Sequence, residues 1–128
     1  MISLRPRELS SINVGCDIQT NKRCLDISRE FDCVYATCGI HPHEAKKVKK
    51  DTFDEMKHLI YNSKVVAVGE IGLDYVKEFS PRDIQQYVFR RGINLAREVN
   101  LPIVVHTRGA FEDTYLILKE EHAQDVGG

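Results

Sequence analysis

The chain has 128 residues, of which 42% are apolar and 29% charged, and its formal net charge is −1 at pH 7. That length suits one ordinary domain, and a near-zero net charge excludes a globally basic surface that would draw in nucleic acid or acidic lipid. Any phosphate binding therefore has to be local or carried by a metal.

The N-terminal "MISLRPRELS" has no apolar signal region, and no run approaches the roughly 18 apolar residues of a membrane span, so no membrane partner is expected. Four cysteines, Cys16, Cys24, Cys33 and Cys38, form no C-x-x-C pair. Without a secretory context they read as reduced thiols packed in the core of a cytoplasmic protein.

Taken in chain order, "SINVG" (Ser11 to Gly15) reads as a first strand. Cys24, Ile27, Ser28 and Phe31 then fall at i, i+3, i+4, i+7 and predict a helix with that stripe inward. "CVYATCGI" (Cys33 to Ile40) is a second strand. Phe53, Met56, Leu59 and Ile60 predict a second helix with Asp51 as N-cap.

"KVVAVGEIGL" (Lys64 to Leu73) is a third strand. "SPRD" opens a third helix, with Ser80 as N-cap and Pro81 at the first helical position. Ile84, Val88, Leu95 and Val99 form its inner stripe, and Gly92 allows close approach to the sheet. "LPIVVHT" (Leu101 to Thr107) is a fourth strand, and Phe111, Tyr115 and Leu118 fit a fourth helix. These short, β-branched runs are nearly continuously apolar, as in strands buried on both faces of a parallel sheet.

The order β-α-β-α-β-α-β-α implies an α/β fold with parallel strands and right-handed crossovers. An open doubly wound sheet and part of a (β/α) barrel both satisfy it. Neither glycine-rich phosphate fingerprint, G-x-G-x-x-G or G-x-x-x-x-G-K-[ST], occurs.

The chemistry-bearing residues cluster at strand C-termini: Cys16 and Asp17 after the first, His41 and His43 after the second, Glu70 and Asp74 on the third, His106 and Arg108 on the fourth. In parallel α/β folds these ends share one side, where active sites lie. A carboxylate such as Glu70, buried alone at a strand end, costs several kcal/mol or more. An arginine partner (Arg108), a raised pKa or a cation would each resolve that cost. Imidazole nitrogen and carboxylate oxygen together suit Zn, Mn, Fe or similar divalent ions. His106 reads as a ligand, a general acid/base or a satisfied core histidine. His41 and His43 flank Pro42 in either a functional loop or an ordinary turn. "KKVKK" (Lys46 to Lys50) reads as a solvated face, and a Cys33-Cys38-His41-His43 zinc cluster has the wrong spacing for a finger.

"GIHPHEA", "VVAVGEIGLDY" and "LPIVVHTRGAFEDT", in this order, resemble the TatD-type DNases, a family of metal-dependent hydrolases. The resemblance covers about residues 11 to 128. It implies a partial TIM (β/α) barrel of about four parallel units, filling residues 1–128 as a single domain of about half a barrel. "SINVG", "YATCGI", "VVAVGEIGL" and "PIVVH" then match barrel strands two to five.

The same resemblance implies a divalent metal (Mg, Mn or Zn) and phosphodiester hydrolysis in DNA. Glu70 matches a metal-bridging catalytic carboxylate and His106 a metal-binding histidine. His41 and His43 match the H-P-H pair near the substrate phosphate, and Asp74 and Arg108 match pocket-lining, substrate-side residues. Gly72 is expected to ease a turn towards Asp74.

Several family features are missing. No His-x-His precedes His41, "HxRDA" reads "HTRGA" with Gly109 in place of an acid, and the chain stops at "DVGG". The ligands present are too few for two metals. The resemblance therefore implies either an incomplete, inactive form of the enzyme or a non-catalytic half-barrel that pairs with itself or a partner through its open edges.

Overall fold

The computed structural model describes residues 10–128. Its centre is a four-stranded, all-parallel sheet in the order β1 (Ser11–Val14), β2 (Val34–Cys38), β3 (Val65–Asp74) and β4 (Ile103–Arg108). Between and after the strands run α1 (Ile18–Glu30), α2 (Thr52–Ile60), α3 (Arg82–Val99) and α4 (Phe111–Glu120), with a 3₁₀ helix over Pro42–Lys47. Sequence order and spatial order coincide, which is the arrangement of a barrel arc; a doubly wound sheet reverses its strand order. The sheet also curls. The Glu70 amide on β3 donates to the carbonyl of Gly15, just past β1, at 3.2 Å, although β2 lies between those strands.

Paired residues of neighbouring parallel strands share a face. Ile12 pairs with Tyr35, Val14 with Thr37, Thr37 with Ala67, and Gly69 with Val104. One face therefore carries Ile12, Val14, Thr37, Ala67, Val104 and, two residues on, His106. The other face meets the helices, where Val68, Ile71, Leu73 and Ile103 join Phe89, Ile93 and Ala96 of α3 in the buried core. Gly92 brings α3 close as expected: a Cβ there would stand 3.0 Å from Cγ2 of Ile71.

Burial on both faces holds for most of β3 and for Ala36, Thr37 and Cys38 of β2. Ile12, Val14 and Val104 are 56%, 41% and 37% exposed, because β1 and β4 bound the sheet and the inner face of an open arc meets water.

Two helices, α1 and α4, are rotated from the expected phase, and α3 departs from it only at its first turn. In α1 the buried residues are Asn21, Leu25 and Ser28, while Ile27 and Phe31 are exposed. A capping box formed by Asp17 and Thr20 sets where this helix begins and so which side faces in. In α3, Val88 and Leu95 are buried and Val99 packs against the core as expected, but Gln85 takes the inward position next to exposed Ile84. Ser80 is not the N-cap. Pro81 holds that position, and the Ser80 hydroxyl turns inward to accept from the Lys46 amide at 2.9 Å and donate to the His43 carbonyl at 3.2 Å. In α4, Thr114 and Ile117 are buried and Phe111 and Tyr115 are exposed, Phe111 at 73%.

The phase of α2 is as expected, with Phe53, Met56 and Ile60 buried. Asp51 occupies its N-cap without a side-chain bond, and the Thr52 hydroxyl instead accepts from the Lys49 amide at 2.8 Å.

Gly72 lies inside β3, so it eases no turn. Its φ is +145°, and a Cβ there would sit 1.8 Å from the His106 carbonyl oxygen. Both the backbone angle and the space require glycine. Gly72→Ala is expected to cost more than about 3 kcal/mol of unfolding free energy, beyond the usual range for single substitutions. Urea denaturation followed by circular dichroism checks this, and a loss under about 1 kcal/mol would show that β4 can move aside.

Candidate metal centre

A register shift in β3 places Glu70. Gly69 pairs with Val104 and Ile71 with Val105, so Glu70 is an extra residue without a partner on β4. Such bulges re-aim a side chain, and they recur beside active sites. Here the re-aimed carboxylate meets two imidazoles: its Oε1 is 2.9 Å from Nδ1 of His106 and 3.4 Å from Nε2 of His41. One ligand atom from each of His41, Glu70 and His106 lies within 4.8 Å of the others. Three strand ends thus converge on one point, and among the described residues this is the one such group of potential metal ligands.

His41 is held by its own loop. Pro42 is buried and opens the 3₁₀ helix, and the His43 amide donates to Nδ1 of His41 at 3.1 Å. Asn21 of α1 braces the same stretch by accepting from the Gly39 amide and donating to the Gly39 carbonyl. Burial lowers the His41 pKa. Neighbouring His106 and His43 lower it further, against the opposing pull of Glu70 and Asp74. The ring is therefore neutral at pH 7. A neutral ring whose Nδ1 accepts a hydrogen bond carries its proton on Nε2. His41 accordingly presents an N–H to the cluster rather than a lone pair. The two groups left to ligate an ion are the Glu70 carboxylate and Nδ1 of His106, which share a proton across 2.9 Å that an ion would displace.

Asp74 lies below this group, with its side chain 1% exposed. Its Oδ1 accepts from the amides of Val76 and Lys77 at 3.1 and 2.8 Å, and its Oδ2 lies 3.0 Å from Nε2 of both His43 and His106. Burial opposes its ionisation. The Lys77 amide and the two imidazoles outweigh that and hold the carboxyl well below its ordinary range. Removing a carboxylate from water costs several kcal/mol, and hydrogen bonds to a charged group return about 1.5–3 kcal/mol each. Four partners suffice.

The other expectations divide. His43 stands at the rim, its ring edge-on to exposed Phe79 at 4.9 Å. Arg108 is exposed at the end of β4, and among the described residues no ion pair joins it to Glu70, so the partners of that carboxylate are His41 and His106 rather than Arg108. The zinc-cluster alternative fails: exposed Cys33 and buried Cys38 lie five residues apart along an extended strand, about 16 Å by strand rise. Burial pushes the Cys38 thiol up to about 12. The Cys16 thiol is also raised, by burial and then by Glu70, so it supplies no thiolate. Lys46, Lys47, Lys49 and Lys50 are solvated, as expected.

The profile of the family described as "TatD related DNase" matches residues 7–128. The chain belongs to the TatD family. The "uncharacterized metal-dependent hydrolase YabD" of Bacillus subtilis (strain 168) is 49% identical over 115 residues, covering 90% of this chain and 45% of YabD. The "3'-5' ssDNA/RNA exonuclease TatD" of Erwinia tasmaniensis is 34% identical over 106 residues, covering 82% of this chain and 41% of the relative. The crystal structure of YJJV, a TatD homologue from Escherichia coli K12, superposes with a TM-score of 0.83 at 26% identity, over 90% of this chain and 45% of that one. The four strands thus form a curled half-barrel of the TatD type, and the chain spans about half the length of the relatives it matches. No helix among the described residues is long and apolar enough to cross a membrane.

Sequence reasoning missed Gln85. Its Oε1 accepts from the Asp74 amide at 2.8 Å, and its Nε2 donates to the carbonyls of Asp74 and Ser80 at 3.1 and 2.8 Å. The available signal was an amide side chain in phase with Val88, Gly92 and Ala96, since a buried amide needs partners.

The Asp74 shift fixes a pH dependence. Its folded pKa lies below the unfolded value of about 3.9, so the unfolded chain binds more protons between the two. The stabilisation is complete above about pH 5 and drains as pH falls through 4 towards the folded pKa. Acid titration of unfolding free energy is expected to show this slope in the wild type and a flatter one in Asp74→Asn; equal slopes would remove Asp74 as its source.

Proposed function

We propose that this chain carries part of the active site of a divalent-metal-dependent nuclease that hydrolyses phosphodiester bonds in DNA. The observation behind this reading is the convergence of His41, Glu70 and His106 from three strand ends at the C-terminal rim of a TatD-type arc. A carboxylate oxygen and an imidazole Nδ1 facing one point form a donor set that fits Mg, Mn or Zn. Glu70 and His106 hold the ion. When bound, it supplies Lewis acidity towards a phosphoryl oxygen and a water nucleophile.

The chain's own residues supply the rest of the local chemistry. The Nε2–H of His41 is a neutral donor aimed into the cluster, suited to a phosphate oxygen on which charge develops. His43 at the rim and the exposed guanidinium of Arg108 offer further contacts to the phosphodiester backbone. With a net charge of −1, local contacts of this kind replace a broad basic surface. Two lone-pair donors fall short of the three protein ligands usual at a catalytic zinc site, so these residues hold one ion, weakly, and turnover needs ligands beyond them.

Calorimetric titration of the purified chain with Mn or Zn, paired with cleavage of an end-labelled single-stranded oligonucleotide in DNA and RNA form, tests this. One ion is expected to bind, and Glu70→Gln and His106→Ala are each expected to weaken it more than about tenfold. If no ion binds, the metal assignment fails. If ions bind and neither nucleic acid is cut under Mg, Mn or Zn, this chain has no catalytic function of its own, and its membership of the family stands.

A second reading has its own support, the exposed Ile12, Val14 and Val104 on the inner face. In this reading the half-barrel associates with another copy or a partner that covers that face. Sedimentation is then expected to show a dimer or larger species, and a monodisperse monomer counts against it.

A further inference from the structure

The metal-holding reading leaves open what aims the imidazoles, and the hydrogen bonds around Asp74 carry an answer. An ionised carboxylate only accepts hydrogen bonds. Its Oδ2 lies 3.0 Å from Nε2 of His106 and 3.0 Å from Nε2 of His43, so both rings bear a proton on Nε2. For His106 the consequence is direct. With Nε2 committed to Asp74, Nδ1 is the atom turned towards Glu70, 2.9 Å away. When an ion is bound, rotation of this ring or a change of tautomer would put an N–H where the Nδ1 lone pair is needed.

Asp74 does not hold this position by its carboxylate alone. Gln85 grips both its backbone amide and its backbone carbonyl, and with the same side-chain nitrogen takes the carbonyl of Ser80. Ser80 in turn donates to the carbonyl of His43. Gln85, Asp74 and Ser80 are all fully buried. One helical amide therefore braces the strand end below His106 and the loop that carries His43.

We propose that Asp74 is a positioning residue rather than a substrate contact: clamped by Gln85, it accepts hydrogen bonds from Nε2–H of His106 and of His43 through one oxygen and so fixes which nitrogen of His106 faces the metal. The proposal rests on the metal reading for its purpose and on hydrogen-bond geometry for its mechanism. A metal ligand whose second nitrogen is held by a carboxylate keeps one tautomer and one orientation. Sharing that carboxylate links the rim histidine to the metal-facing one, so the two cannot reorient independently.

Asp74→Asn separates this role from simple packing. The substituted amide keeps the size, and its oxygen still accepts from the amides of Val76 and Lys77. Its NH₂ group points at both imidazoles as a donor, which drives each ring to the Nδ1–H tautomer and removes the lone pair of His106 from the cluster. Long-range ¹H–¹⁵N spectra of the imidazoles, recorded without metal above the usual imidazole range, are expected to show protonated Nε2 in both rings of the wild type and unprotonated Nε2 in the variant. Zn affinity is expected to fall 10- to 100-fold. Gln85→Met, which leaves the carboxylate in place but removes its clamp, is expected to keep the wild-type tautomers and to weaken Zn by a smaller factor.

An unprotonated Nε2 on His106 in the wild type overturns the proposal. So do unchanged tautomers in a folded Asp74→Asn protein, or Zn affinity unchanged by that substitution. Absence of Zn binding in the wild type would instead defeat the metal reading, and the metal-free spectra would still decide what Asp74 does to the two rings.

Discussion

A buried carboxylate needs partners, and the C-terminal half of the third strand carries two carboxylates, Asp74 fully buried and Glu70 half-buried. That requirement organises the neighbourhood. Asp74 satisfies it with two loop amides and two imidazoles, and Glu70 meets two imidazoles from the flanking strand ends. Because an isolated Asp74 charge would cost several kcal/mol, the loop after β2, the loop after β3 and the end of β4 are constrained to deliver its partners. The site is the point where these constraints meet.

Close backbone approach is what makes the meeting geometrically feasible. A Cβ on Gly39 would stand 2.4 Å from the Gly69 carbonyl carbon, and one on Gly72 would collide with the His106 carbonyl. Strand ends packed this tightly leave room for imidazole and carboxylate groups to reach one another directly. The bulge at Glu70 then turns that side chain out of the regular alternation and into the group. Backbone crowding, bulge and convergence belong to one local solution, and the helices on the opposite face hold it through the Ile71–Gly92 contact.

How much of this was legible in the sequence varied with the kind of signal. Four β-branched runs alternating with helical periods gave the parallel arrangement, and Gly92 was rightly read as a point of close approach. Helix phase was less legible. In α3 the apolar period favoured Ile84, but the three hydrogen bonds made by Gln85 pull the neighbouring position inward. In α1 the capping box moved the inner stripe to Asn21, Leu25 and Ser28. In both cases a polar side chain with long-range or terminal partners overrode a pattern built from apolar residues alone. The same limit applied to Ser80, whose local setting looked like an N-cap and whose partners lie more than thirty residues away.

The sequence by itself determined the residue types at the strand ends, the parallel α/β order and, through three spaced motifs, the TatD resemblance. These follow from local propensity and spacing, which a linear chain displays. Tertiary structure alone decided which nitrogen of His106 faces Glu70, and that Asp74 is fully buried against two imidazoles while Glu70 stays partly open. Those outcomes depend on distances of about 3 Å between residues more than thirty positions apart, and hydrogen-bond direction at that range is set by how the backbones pack.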